Sequence, residues 1–397
     1  MKAPSRLTAS SFNTSTSDSN TKEISSVNDS SQPLLSPSHV GRRSFLRRLG
    51  LGAALLAPGA AFLTSPRRAF GNDNEITRGD ADILRFLAAA EIIETDLWVQ
   101  YTELGGQDAP ASSYVGALQI LDGDQPQYIS DNTDDEQSHV NFLNAYLHSK
   151  GEKGVNFDAF RTLPGSSATG SSGKPRLTNL TKLTVDTSWW TRYRSTTNPD
   201  LGATFPHAVP SLATGLHTAI PRNNADLGTN DPNNPSDLMK VIAFTAGFHF
   251  AFIEQGGTSL YAAMAQKATS LEVLQIILGI GGSEVMHFQT WQDKAGNATP
   301  VSAHDAVNNS DTTFTDLHTG QPENLQANLI MPEPCDFISK SLPACSIIRP
   351  IGSAHVSAMG AVSAFTKDGL FKGQSKKFFD LLNFLARAAD AAQRGEG

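Results

Sequence analysis

The stretch GGSEVMHFQTW, residues 281–291, places a glutamate and a histidine three positions apart in a segment that is otherwise mostly apolar. On a helix this spacing brings both side chains to one face. Charged side chains are rarely buried without a partner. We therefore expect the rest of the chain to supply the groups that Glu284 and His287 face.

Apolar residues at helical spacing predict four long helices, whereas no strand pattern is strong enough to build a sheet on. Ser236 or Asp237 can cap the third helix and Ser270 the fourth. The predicted helices cover residues 79–104, 127–149, from 236 or 237 onward, and 271–296. One more amphipathic helix is predicted at residues 375–393.

This order of elements predicts an all-α fold in which two helical hairpins are joined by a long crossover, as in a ferritin-like four-helix bundle. The connection is rich in Gly, Ser, Pro and Asn, and is either a structured insertion or a long crossover. The predicted segments are the first hairpin (72–150), the connection (151–235), the second hairpin (236–296) and a C-terminal extension with a terminal helix (297–397).

Each long helix carries a carboxylate on the face that should be buried. Glu94 lies in the apolar stripe of the first helix and Glu254 in that of the third. The second and fourth helices each carry Glu-x-x-His. The six predicted metal ligands are Glu94, Glu136, His139, Glu254, Glu284 and His287.

Such a set suits two metal ions, because carboxylates bridge or chelate and imidazoles add nitrogen donors that fit iron or manganese. Four carboxylates bring a charge of about −4, which two divalent cations neutralise. Tyr101 and Tyr261 each follow a predicted ligand by seven residues, about 10 Å along the helix, and could hydrogen-bond a ligand carboxylate. The alternative is a degenerate site whose carboxylates are protonated or held by salt bridges.

The sequence resembles the ferritin-like di-iron superfamily, which includes ferritins, rubrerythrins and manganese catalases. EIIETDLWVQY (91–101) and DEQSHVNFL (135–143) are especially similar to exported ferritin-like-domain proteins, a group that also includes plant desiccation-related proteins. The resemblance covers about residues 80–150 and 237–294. It implies the six ligands named above and two iron ions, or alternatively manganese. For Glu91, one turn before Glu94, two roles stay open: an additional ligand, or a supporting or entrance position, which we favour.

The implied chemistry is oxidation of Fe(II) or reaction with O2 or a peroxide. Ferroxidase, peroxidase and catalase activities share this ligand set, so the sequence leaves the reaction open. Two other hypotheses remain: a non-enzymatic, stress-protective or metal-binding envelope protein, and a manganese catalase-like enzyme. We also regard a homodimer as compatible with the predicted helical fold.

The N-terminal region predicts export. Residues 1–40 are rich in Ser, Thr and Asn and are expected to be a disordered leader. Residues 41–71, beginning GRRSFLRRLGLGAALLAPGAAFL, resemble a twin-arginine signal peptide with a cleavage point after Gly71. A periplasmic or secreted protein is therefore expected, delivered by the twin-arginine export machinery. The alternatives are a nucleic-acid-binding arm and an uncleaved membrane anchor.

The charge, the length of the apolar run and the cysteine content indicate which partners and covalent links to expect. The net charge of −8 and the absence of a basic stripe in the body of the chain argue against a nucleic-acid partner. The apolar run of the signal is too short for an ordinary membrane span, so we expect no stable span in the mature protein. Cys335 and Cys345 are spaced so that a structural disulfide can form in an oxidising compartment.

Overall fold

The computed structural model describes residues 76–192, 206–315, 317, 332–333, 339–346 and 357–395. The predicted leader (1–40), the predicted signal (41–71) and Cys335 lie outside these residues. Cys345 is exposed, and no cysteine within the described residues pairs with it, so the predicted Cys335–Cys345 disulfide stays a prediction. The described residues all belong to one compact unit.

The described chain is mostly helical, which confirms the predicted all-α class. The four predicted long helices are present, and the third and fourth begin after the predicted caps Ser236 and Ser270. Each cap hydroxyl accepts a hydrogen bond from a backbone N–H in the first turn. The long helices are α1 (Arg78–Gly105), α3 (Gln125–Ser149), α5 (Asp237–Ala265) and α6 (Leu271–Gly296).

Shorter elements surround the long helices. The predicted C-terminal helix is present, whereas three other short helices were not predicted. The shorter helices are α2 (Ser113–Leu121), α4 (Trp189–Arg192), α7 (Ala358–Asp368) and α8 (Lys376–Ala391). Residues 158–160 and 210–214 form 3-10 turns.

The expectation of no sheet is wrong in one respect, because two small antiparallel pairs are present. The strands are β1 (Val301–Asp305), β2 (Ser310–Phe314), β3 (Pro332–Glu333) and β4 (Cys345–Ser346). β1 and β2 form a hairpin in register from Val301 opposite Phe314 to Asp305 opposite Ser310. Its turn contains Asn309 at φ 48°, a conformation that Asn tolerates better than most residues. Five-residue strands carry too few alternations to be recognised in sequence.

The long helices pack as two antiparallel pairs. α1 packs against α3, and α5 packs against α6. α2 lies on α5, while the C-terminal α8 lies on α1 and on α7. Each pair joins helices that are close in sequence, as expected for helical hairpins.

The connection between the pairs is a structured insertion over its described residues. Buried Asp96 of α1 accepts hydrogen bonds from the backbone N–H groups of Leu177 and Thr178, at 3.0 and 2.8 Å, and from the Thr178 hydroxyl at 2.7 Å. Arg161 also donates to Asp96. One carboxylate thus ties distant parts of the connection to the middle of α1, and the charge is satisfied by several donors.

One described helix, α6, is long and apolar enough by length and composition to cross a membrane, a property that core helices of soluble proteins share. Its inner face carries Glu284 and His287 into the interior. Its outer face exposes Leu271, Leu278 and Met286.

Candidate metal centre

Six buried or nearly buried side chains from the four long helices converge at one place. They form two overlapping groups, Glu91–Glu136–His139–Glu284 and Glu136–Glu254–Glu284–His287. Within each group the ligand atoms lie within 4.8 Å of one another. Glu136 and Glu284 belong to both groups, so two carboxylates are shared between two candidate metal positions.

His139 points one ring nitrogen at the carboxylates. Its Nδ1 lies 3.2 Å from Glu136 Oε2, 3.3 Å from Glu91 Oε2 and 3.4 Å from Glu284 Oε1. Its Nε2 lies 3.0 Å from Ser283 Oγ, whose proton is donated to the Ile280 carbonyl at 2.7 Å. Ser283 therefore accepts from the Nε2–H of His139, and neutral His139 presents the Nδ1 lone pair to the cluster.

His287 is oriented in the same way on the opposite side. Its Nδ1 lies 3.0 Å from Glu136 Oε1 and 3.4 Å from Glu254 Oε2. Its Nε2–H faces the Asp135 carboxylate at 3.1 Å. A carboxylate on the outer nitrogen of an imidazole is the common arrangement around metal-binding histidines, because it sets the tautomer and holds the ring.

Asn132 links two of the carboxylates and was not foreseen from the sequence. Its Nδ2 donates to Glu136 Oε1 and to Glu254 Oε1, both at 2.9 Å. Its Oδ1 accepts from the indole Nε1 of Trp291 at 2.7 Å. The sequence feature that could have indicated Asn132 is its position one turn before Glu136, on the same helix face.

On α1 it is Glu91, and not Glu94, that joins the cluster. The carboxylate of Glu91 is oriented by Tyr261, whose hydroxyl donates to Glu91 Oε1. Glu94 lies outside both groups of potential ligands. The two glutamates lie on the same apolar stripe of α1, one turn apart, so the stripe alone did not distinguish them.

Glu94 instead lines a cavity of about 30 Å³ beside Glu91, large enough for one or two water-sized molecules. The other walls come from α1, α5 and α7 and are mostly apolar: Ala90, Phe252, Gly256, Gly257, Leu260, Tyr261, Ala361, Ala364 and Phe365. Glu94 Oε1 is buried and has no hydrogen-bond partner among the described residues. Burial, followed by repulsion from Glu254 and Glu136, holds the pKa of Glu94 well above its usual value.

Tyr101, expected beside the carboxylates, faces another way. Its hydroxyl lies 2.8 Å from His249 Nδ1, and His249 Nε2 lies 3.0 Å from Asp368 Oδ2. All three side chains are buried. The sequence did not predict the contact between His249 and Asp368, because the two residues lie 119 positions apart.

Several buried atoms of the cluster lack hydrogen-bond partners within the described chain. They are both carboxylate oxygens of Glu284, Oε2 of Glu254 and Nδ1 of His287, whose ion-pair contacts of 3.0–3.4 Å do not have hydrogen-bond geometry. Buried polar atoms are normally satisfied, and each unsatisfied one weakens folding. All of these atoms belong to the two groups and are typical metal donors, so a cation between them would satisfy them together.

The pKa values show how strongly the carboxylates repel one another. Burial and then the charges of Glu136 and Glu91 hold the pKa of Glu284 well above its usual value. Burial, with Glu91 and Glu254, raises the pKa of Glu136 to about 7. Burial alone would lower the pKa of His139, but Glu136 and Glu91 outweigh it and raise the pKa to about 10. The cluster therefore attracts positive charge, whether as protons or as cations.

Two glycines let the helices approach at this point. A Cβ on Gly257 would lie 2.3 Å from Glu284 Oε2, so only glycine leaves room for this shared carboxylate. A Cβ on Gly281 would lie 2.9 Å from the Tyr261 Cβ. The neighbouring Gly256 has open space, with nothing within 4 Å of a Cβ.

Comparison with protein-family models, with curated proteins and with solved structures finds no match for this chain. The assignment of the site therefore depends on its own geometry. A buried cluster of carboxylates and histidines that can hold a metal ion is present in the interior of a mostly helical chain.

Proposed function

We propose that this protein is a ferritin-like four-helix protein that binds two iron ions, or alternatively manganese, and uses them to react with O2 or a peroxide. Glu91 and His139 would hold one ion, and Glu254 and His287 the other. Glu136 and Glu284 would bind both. The observation that carries the proposal is the sharing of these two buried carboxylates between two groups of ligand atoms.

The charge balance supports two divalent ions rather than one. The two groups contain four carboxylates and two imidazoles. If the imidazoles bind as neutral ligands, two divalent cations neutralise the four carboxylates, whereas a single ion leaves a net negative charge in the interior. Carboxylate and imidazole donors without thiolates favour iron or manganese over the softer metals.

When bound, such a metal pair supplies electron transfer to or from O2 or a peroxide. The surrounding residues keep the ligands in place: Tyr261 holds Glu91, while Asn132 holds Glu136 and Glu254. The mostly apolar cavity beside Glu91 has room for one small neutral molecule. The pKa of Glu94, raised well above its usual value by burial and by Glu254 and Glu136, favours the protonated form of the carboxyl group that lines this cavity.

The C-terminal extension contributes to this proposal through α7. Ala361, Ala364 and Phe365 form one wall of the cavity and are themselves partly exposed. We place the route from the surface to the cavity along this wall. A substrate the size of O2 or a peroxide is compatible with the cavity of about 30 Å³.

Export is part of the same proposal. The twin-arginine-like segment 41–71 would direct the chain to the periplasm or the medium. Fusion of residues 1–75 to a reporter that is active only after export would test this. Replacement of Arg42 and Arg43 by lysine should abolish export, and unchanged export would contradict it.

Metal binding to the full chain tests the central proposal. Metal-free protein is titrated anaerobically with Fe(II) and, separately, with Mn(II), and bound metal is counted after gel filtration. We expect two ions per chain, and loss of both in a variant carrying Glu136→Gln and Glu284→Gln. Glu272→Gln is the matched control, since Glu272 lies on the same helix but is exposed and contacts Lys150.

The outcomes separate the candidate functions. Failure to bind either metal would refute the proposal and leave a helical scaffold. Two bound ions without O2 or peroxide consumption would identify a metal-binding protein without this chemistry. Peroxide disproportionation by the manganese form, without added reductant, would identify the catalase-like alternative.

A further inference from the structure

A line of buried aromatic and polar side chains leads away from the metal cluster towards Tyr101. Asn132, which holds Glu136 and Glu254, accepts from the indole N–H of Trp291 at 2.7 Å. The Trp291 ring stacks on Trp98, with centroids 5.4 Å apart and planes inclined by 22°.

The line ends at Tyr101. Trp98 contacts Tyr101 edge-on with centroids 5.7 Å apart, and Phe250 packs against Trp98, Tyr101 and Trp291 at centroid distances of 4.9, 4.6 and 4.7 Å. Trp98, Trp291 and Tyr101 are at most 1% exposed. The contacts between cluster and phenol are therefore continuous and shielded from bulk solvent.

The phenol of Tyr101 has a base within hydrogen-bond distance. His249 Nε2 faces the Asp368 carboxylate, so the ring carries its proton there and its Nδ1 accepts from the phenol. This imidazole can take the phenolic proton, and the Asp368 carboxylate would stabilise the imidazolium that forms.

This Tyr–His–Asp set is more than the core requires. A buried tyrosine hydroxyl can be satisfied by one carbonyl, as for Tyr114, whose hydroxyl donates to the Ala219 oxygen at 2.7 Å. Burial of Asp368 next to His249 leaves Asp368 Oδ1 without a hydrogen-bond partner in the part of the chain that the structure describes. Burying a carboxylate is costly and the phenol could be satisfied without it, so this arrangement favours a functional role.

We propose that Tyr101 is a redox-active residue that gives one electron to the oxidised metal site through Trp98 and Trp291. The phenol loses one electron and its O–H proton, and becomes a neutral tyrosyl radical. The proton moves to His249 Nδ1, forming an imidazolium paired with Asp368. The electron reduces the metal site by one equivalent, and O2 or a peroxide is the initial oxidant. The inference rests on the proposed function for that oxidant.

Electron paramagnetic resonance of the full chain tests the inference. Fe(II)-loaded protein is mixed with O2 or hydrogen peroxide and frozen rapidly. The organic radical is identified by its change when the chain contains ring-deuterated tyrosine. We expect a tyrosyl radical coupled to an exchangeable proton and to histidine nitrogen, absent in Tyr101→Phe and retained in Tyr114→Phe.

His249→Gln removes the proton acceptor while Tyr101 remains, and should abolish the tyrosyl signal. Iron content and thermal unfolding of each variant show whether it still folds and binds metal. If His249→Gln does not fold, the nitrogen coupling in the unmodified protein decides whether His249 accepts the proton. Retention of the radical in folded Tyr101→Phe would overturn the inference, as would oxidation of two bound irons without any tyrosyl radical.

A metal-independent arm separates this inference from the proposed function. A photogenerated ruthenium(III) complex is used to oxidise the metal-free protein, again with Tyr101→Phe and Tyr114→Phe. A radical that disappears only in Tyr101→Phe would support the assignment of Tyr101 even if no metal binds. No radical, or one unaffected by Tyr101→Phe, would overturn it.

Discussion

The close approach of α5 to Glu284 gives the sharpest test of the site. In Gly257→Ala, the new Cβ would lie 2.3 Å from Glu284 Oε2, whereas ordinary contacts begin at 3.4 Å. The carboxylate, or the helix beneath it, must therefore move by about 1 Å. Because Glu284 belongs to both groups of ligands, we expect both metal positions to weaken together, by roughly 10- to 100-fold in affinity.

Stability of the metal-free protein provides a second measurement. Alanine is favoured over glycine inside a helix by about 1 kcal/mol. In Gly256→Ala, where the Cβ meets nothing within 4 Å, that gain should appear undiminished. In Gly257→Ala, the cost of overpacking, about 1–3 kcal/mol, should cancel or exceed this gain in unfolding free energy. Denaturant unfolding of the two metal-free variants and of the parent protein measures the difference.

Gly256→Ala is the matched control for metal binding, since it makes the same chemical change one position away. Both variants and the parent protein are titrated anaerobically with Fe(II) and Mn(II). Parent-like affinity for two ions in Gly257→Ala would refute the assignment of Glu284 as a shared ligand. Equal losses in both variants would show that the helix as a whole, rather than the contact with Glu284, is responsible.

Three further predictions concern individual ligands and protons. Glu91→Gln should lose one metal ion per chain by elemental analysis, whereas Glu94→Gln should retain both, since Glu94 lies outside both groups. Asp135→Asn weakens the carboxylate that holds an imidazole, and calorimetric titration should show a loss of about 10- to 100-fold in metal affinity. Folding raises the pKa of Glu136 from 4.5 to about 7 and that of His139 from 6.5 to about 10. Between pH 4.5 and 10 the folded metal-free protein thus binds more protons than the unfolded chain, so its unfolding free energy should fall as pH rises.

Each of these three predictions would be contradicted by a specific outcome. Loss of metal in Glu94→Gln together with retention in Glu91→Gln would restore Glu94 as the ligand on α1. Unchanged affinity in Asp135→Asn would show that the outer carboxylate does not position the imidazole. Metal ions displace the same protons, so affinity should increase with pH over the same range and protons should be released on binding. A metal affinity independent of pH would contradict the raised pKa values.

The sequence alone predicted the four long helices and the four side chains of the Glu-x-x-His pairs that join the cluster. Glu136 with His139 and Glu284 with His287 are brought together by helical periodicity, which is a local property. The caps Ser236 and Ser270 could also be predicted from neighbouring residues, because a hydroxyl before an apolar run accepts a hydrogen bond from a free N–H group of the first turn. The buried face of α5 likewise placed Glu254 correctly within the interior.

Only the tertiary structure decided between Glu91 and Glu94. Three residues along a helix differ by about 60° around its axis, so both glutamates fit one apolar stripe. The rotation of α1 is set by packing against α3 and α8, and it turns Glu91 towards the cluster. The residue seven positions after Glu91 is then Trp98, and Tyr101 is free to pair with His249.

Contacts between segments far apart in sequence were equally beyond the reach of local patterns. Tyr261 reaches Glu91 across 170 positions, and Asn132 reaches Glu254 across 122. Periodicity predicts which face of a helix is buried, but it does not say which neighbour that face meets. The sequence thus indicated that buried charges need a common partner, while the packing of the helices decided which side chains surround it.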